Sequence, residues 1–126
     1  MTRLLLAGFL IAHGMLHPAI HSVPEDPNKP TPFDPNHSWA LAALHVARRK
    51  AQAIGVSLSW LTALIFAGAG IALILQASLW VSIAVCGAAL GLLVKTLFFH
   101  PWLILGVLID IGILWAGAAV WPGSLT

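Results

Sequence analysis

The sequence predicts an all-α integral membrane protein, an antiparallel four-transmembrane-helix bundle with a short interfacial helix before the second span. Three observations predict it. Hydrophobic residues make up 60% of the chain and charged residues 8%, against roughly 25% charged in soluble domains. The apolar residues gather in four runs, each near the ~20 residues with which a helix crosses a ~30 Å hydrocarbon core. The breaks between runs carry proline, glycine and charge, which stop helices and face water. With 126 residues the chain makes one domain, residues 1–126, with spans over 4–22, 51–75, 78–99 and 102–121 and an inner loop over 23–50.

The first run, Leu4 to Ser22, follows Arg3 in the manner of a secretory signal. Polar residues enter at His13, however, and no small-x-small cleavage pattern closes the segment, so it is expected to remain as the first helix. His13, His17 and His21 recur every four residues, which on a helix makes one slowly winding stripe of imidazoles. Val23 to Asn36 then holds five of the eight prolines and four of the ten charges. Proline removes backbone donors and turns its predecessor away from helix, so this is an extended, solvated loop whose Glu25, Asp26 and Asp34 are surface charge.

His37 to Lys50 opens at Ser38, a good N-cap, and carries Trp39, Leu41, Leu44 and Val46. It is too short to cross a bilayer, so it lies in the interface or extends the next helix into water. Ala51 to Leu75 is the second span, with Ser57, Ser59 and Thr62 near its basic end. Ser78 to Phe99 is the third, bearing Cys86, Lys95 and the small pair Gly87 and Gly91, which permits close approach of another helix. After His100 and Pro101 the fourth span, Trp102 to Trp121, contains Asp110 and stops at Pro122 and Gly123. Trp80 and Trp121 are expected at one membrane interface and Trp102 at the other, with Trp60 and Trp115 deeper, packed against neighbouring helices or lining a cavity.

Arg48, Arg49 and Lys50 beside an apolar run act as topology determinants. With the N-terminus outside, Lys29, this triplet and the inner-end Lys95 all fall on the cytoplasmic side, leaving Arg3 opposite. Both termini are therefore expected outside a bacterial inner (plasma) membrane. The basic triplet has no aromatic-interleaved basic surface around it, which excludes nucleic acid as a partner and leaves the lipid bilayer. A single cysteine excludes an internal disulfide.

The spans contain two residues that carry charge, Lys95 and Asp110. Each costs roughly 2.5 to 3.5 kcal/mol at a helix centre unless it pairs, snorkels or faces water. Counted from His100 and Pro101, Asp110 lies ~13 Å up the fourth helix, close to mid-membrane and level with His13. Lys95 lies ~7 Å deep, its stem able to carry the ammonium to the headgroups or up towards Asp110, and His17 is at a comparable level. With Ser57, Ser59 and Thr62 approaching from the second helix, all four helices can supply polar groups to one inner-half cavity. Such a cluster binds a small ligand or a proton, or else is a structural hydrogen bond that fixes helix register.

A sharper alternative is ligation. Two histidines four residues apart can grip one ion from a single helix, and His13, His17 and Asp110 complete a two-histidine, one-carboxylate set for a transition metal. Haem is the other cofactor alternative, with His45 or His100 as second axial ligand. There is no phosphate-binding glycine loop, GxSxG, CxxC or paired-carboxylate cluster. Small multidrug exporters are similar in length and span number, but they resemble this chain in architecture alone, since they place their essential acid in the first helix, where this chain has His13 and His17. Three functions follow as expectations. The first is a small-molecule or proton-binding accessory subunit of a larger membrane complex. The second is a proton-coupled transporter acting as a homodimer, and the third a membrane-embedded enzyme or redox protein using the histidines as ligands or as acid and base.

Overall fold

The computed structural model describes residues 1–21 and 37–119, and these are all-helical. Helix α1 runs Thr2–His21, α2 Trp39–Ala43, α3 Arg48–Ile74 and α4 Trp80–Leu97; a 3₁₀ turn, Pro101–Leu103, leads into α5, Ile104–Ala118. Four of these segments, α1, α3, α4 and Pro101–Ala118, are long and apolar enough to cross a membrane. The proline-rich loop expected over 23–36, and Trp121, lie outside the described residues.

The stretch 37–50 divides between a short helix, α2, and an extension of the next helix, which starts at Arg48 rather than Ala51. Ser38 caps α2 as predicted, its Oγ accepting from the Leu41 N–H at 3.2 Å. The same hydroxyl donates to the Leu97 carbonyl at 2.6 Å, and Trp39 Nε1 donates to the Thr96 carbonyl at 2.7 Å. Two of the carbonyls that α4 leaves open at its C-terminus are thereby satisfied by α2. A left-handed residue, His45 at φ 57°, turns the chain, and α3 begins at Arg48, so the basic triplet forms the first turn of the long helix.

Helix pairing follows from where glycines meet their neighbours. A Cβ on Gly14 would lie 2.7 Å from Phe66 Cβ, and one on Gly70 would lie 3.0 Å from the Ala7 carbonyl oxygen, so α1 runs antiparallel to α3 with their backbones close. Gly87 faces Ile65 and Phe66, Gly91 faces Asp110, and Gly117 faces Val85, which makes α4 antiparallel to both α3 and α5. Helices α1 and α4 consequently point the same way. The small pair Gly87 and Gly91 is thus used inside the bundle.

The core is built from Leu10, Phe66, Leu73, Trp80, Ala84 and Ala88. Trp80 is buried among these side chains rather than standing in an outward-facing aromatic belt. Trp60 and Trp115, expected to pack inward, are instead 48% and 75% exposed, alongside several exposed leucines and isoleucines on α1, α3 and α5 and Leu93 on α4. Helix α5 is the least embedded: 11% of Pro101–Ala118 is buried, against 33–39% of the other three spans.

Candidate functional site

Three helices each present two residues one turn apart to a common centre: His13 and His17 on α1, Gly91 and Lys95 on α4, Gly106 and Asp110 on α5. Because α4 and α5 are antiparallel, each glycine faces the other helix's polar side chain. A Cβ at Gly91 would stand 2.6 Å from Asp110 Oδ2 and 2.7 Å from His17 Nε2, and one at Gly106 would stand 2.6 Å from Lys95 Cε. Glycine at both positions is what leaves room for the cluster. Gly91 reads in the sequence as a packing residue and Gly106 passes unmarked; the signal for both is the glycine four residues before each of the charged residues Lys95 and Asp110.

The four polar side chains are buried, with Asp110 at 0% exposure. Asp110 Oδ1 accepts from His13 Nε2 at 2.7 Å, and Oδ2 accepts from Lys95 Nζ at 2.7 Å. Lys95 Nζ also donates to His17 Nε2 at 2.5 Å. His17 Nδ1 faces two carbonyls, of His13 at 3.2 Å and Gly14 at 3.3 Å, so Nδ1 carries that ring's proton and Nε2 presents a lone pair to the lysine. Every bond in the network has one donor and one acceptor when the lysine is an ammonium, the aspartate a carboxylate and both rings neutral.

Local sequence explains the orientation of His17. Pro18 lies within α1 and has no backbone N–H, so the helical bond that residue 18 would give to the Gly14 carbonyl is missing. The Gly14 carbonyl accepts from His17 Nδ1 instead. His13 is held by aromatic rings, stacked on Phe9 at a centroid distance of 5.9 Å and edge-on to Phe66 at 5.1 Å. Its Nδ1 is buried and has no hydrogen-bond partner among the described residues.

The α3 hydroxyls divide. Ser59 and Thr62 are fully buried, whereas Ser57 points outward and is exposed, so it does not join the inner cavity. Thr62 Oγ1 donates to its own helix at the Leu58 carbonyl, 2.8 Å away, and Ser59 Oγ has no hydrogen-bond partner among the described residues. His21 packs edge-on against Phe98 at 5.1 Å. The two residues considered as second haem ligands lie elsewhere, His45 in the exposed turn before α3 and His100 at the start of the 3₁₀ turn, where its Nδ1 accepts from the Trp102 N–H at 3.3 Å. Arg48, Arg49 and Lys50 are exposed at the start of α3.

A cavity of about 420 Å³ opens sideways between α1 and α5. Leu16 and Ile20 form one wall, Leu105 and Ile109 the other, and His13, His17 and Lys95 supply its polar end. A second, largely apolar cavity of about 280 Å³ continues along the same seam towards Leu6, Leu10 and Ile113, with Ile109 shared between the two. The seam is bridged by the His13–Asp110 bond. A site of this shape can receive a molecule with a long apolar body and one polar end.

No protein family, curated protein or solved structure matches this chain.

Proposed function

We propose that this chain is an integral membrane protein that binds a small, largely apolar molecule with a polar end, as an accessory subunit of a membrane complex. One observation carries the reading: Lys95, ion-paired behind the wall to Asp110, and two imidazoles, unusual inside an apolar bundle, form the polar end of a lateral cavity whose other lining residues are apolar. Lys95 uses two of its three N–H donors on Asp110 and His17, which leaves one for a ligand oxygen. The exposed apolar side chains on all four long helices support insertion in a bilayer. The exposed basic turn at Arg48–Lys50 supports a cytoplasmic inner end, with both termini outside a bacterial plasma membrane. At 13.3 kDa one copy has little room for alternating access by itself, which favours binding over transport.

The test is photolabelling of the full chain in mild detergent with a diazirine-bearing long-chain alcohol. Labelled peptides should come from the 13–20 and 102–110 stretches. Ala19→Trp, which fills the cavity from its rim without touching the polar cluster, should remove that labelling while circular dichroism stays unchanged. Equal labelling of the Ala19→Trp protein would refute the site.

A further inference from the structure

The metal-capable atoms of His13, His17 and Asp110 all lie within 4.8 Å of one another. Lys95 Nζ sits among them, 2.5 Å from His17 Nε2 and 2.7 Å from Asp110 Oδ2. The same lysine also borders a separate cavity of about 300 Å³ on the α2 side, lined by Trp39, Thr96, Phe99 and Val107. Trp39 and Thr96 are exposed, so that cavity opens outward. We propose that His13, His17 and Asp110 form a seat for a divalent transition-metal ion, which the Lys95 ammonium fills in the ion's place and vacates by swinging to the cavity beside Trp39.

Four features of the site support this. Two imidazoles and one carboxylate are a donor set for first-row divalent ions, which take imidazole nitrogen at about 2.0–2.1 Å and carboxylate oxygen at about 2.0–2.2 Å. A tetrahedral ion at those lengths holds its ligand atoms about 3.4 Å apart. Here His17 Nε2 is 3.8 Å from Asp110 Oδ2, His13 Nε2 is 2.7 Å from Oδ1, and no pair of ligand atoms is more than 4.8 Å apart, so ring and carboxylate rotations that close the widest gap bring all three onto one ion. His17 is already oriented as a ligating histidine is, its Nδ1–H anchored to backbone carbonyls and its Nε2 lone pair turned to the centre.

The seat also already holds a positive charge, the tethered ammonium, against a buried carboxylate. A free cation offered to the same atoms competes with it directly. The displaced ammonium has a destination, because the exposed Trp39 ring offers a cation–π face and the cavity opens towards solvent. Ligation through His13 Nε2 leaves that ring's single proton on Nδ1. The inference is independent of whether a lipophile occupies the α1–α5 cavity.

Cobalt(II) is a suitable probe because its visible absorption reports coordination by nitrogen and oxygen. The full chain in detergent, wild type, Lys95→Met and His17→Ala, is titrated with Co²⁺ and the visible band followed. Wild type should bind one Co²⁺ weakly, and Lys95→Met, freed of its internal competitor, should bind at least about tenfold more tightly. His17→Ala, which keeps the Lys95–Asp110 pair, should lose the band. Should Lys95→Met fail to fold, wild type against His17→Ala decides alone. Equal affinity of wild type and Lys95→Met, no one-to-one band in either, or a His17→Ala band as strong as wild type's would each overturn the proposal.

Discussion

Gly91 carries a role that its size alone permits. A methyl group there would stand 2.6 Å from a carboxylate oxygen and 2.7 Å from an imidazole nitrogen, and neither partner can retreat without breaking its own bonds. Gly91→Ala should therefore cost about 1–3 kcal/mol, the usual range for overpacking. Gly112→Ala, on α5 with nothing within 4 Å, should be neutral or stabilising by about 0.5–1 kcal/mol. Detergent-induced unfolding separates the two. The ion pair gives a second contrast: Lys95→Met strands the Asp110 carboxylate at 0% exposure and should cost about 3–5 kcal/mol, whereas Lys95→Met with Asp110→Leu removes both charges and should recover most of that. A double variant as unstable as the single one would mean that the pair acts through packing and not through charge.

Within α1, Pro18 and His17 act as one unit. The missing N–H of residue 18 leaves the Gly14 carbonyl to His17 Nδ1, so the proline sets the tautomer of its neighbour. ¹⁵N NMR of the His17 ring should show Nδ1 protonated and Nε2 bare. In Pro18→Ala the restored backbone N–H competes for Gly14, and the Nε2–H tautomer should appear; an unchanged ring spectrum would assign the orientation to Lys95 alone. This device is written in the sequence as GxxHP over residues 14–18, but it can be read only once His17 is known to face inward. The start of α3 was hidden for a different reason. Cations in the first turn oppose the helix dipole, which argues for a boundary after Lys50, yet all three basic side chains are exposed, where solvent weakens that penalty, and arginine and lysine are good helix formers. The tryptophans illustrate the limit of depth counting: residue number gives height along a helix but not the face, so Trp115, expected to pack inward, is exposed, and Trp80 at the start of α4 is buried.

Between helices, height proved sufficient for the polar centre. Counting along the spans puts His13 level with Asp110, Lys95 within reach of Asp110 and His17 level with Lys95, and in the structure Asp110 bonds to His13 and Lys95, and Lys95 to His17. Face could be inferred there because four polar groups in an apolar chain have few tolerable positions except against each other. The hydroxyls carry no such penalty, since each can bond back to its own helix as Thr62 does, and Ser57 accordingly faces outward. The same arrangement leaves α5 held on one side by α4 and joined across the open seam to α1 by the His13–Asp110 bond, with only 11% of its span buried. Removing that bond should let α5 move away from α1 while the rest of the bundle holds. Nitroxide pairs on a Cys86→Ser background, at exposed Leu4 and Ala118 for α1 to α5 and at exposed Leu4 and Ile71 for α1 to α3, give the two distances by pulsed electron resonance. In His13→Leu the first distribution should broaden and lengthen while the second stays as in wild type, because α1 and α3 are locked by Gly14 and Gly70. If both distributions stay narrow, α5 is fixed by its contacts with α4 alone and the seam is not gated by the His13–Asp110 bond.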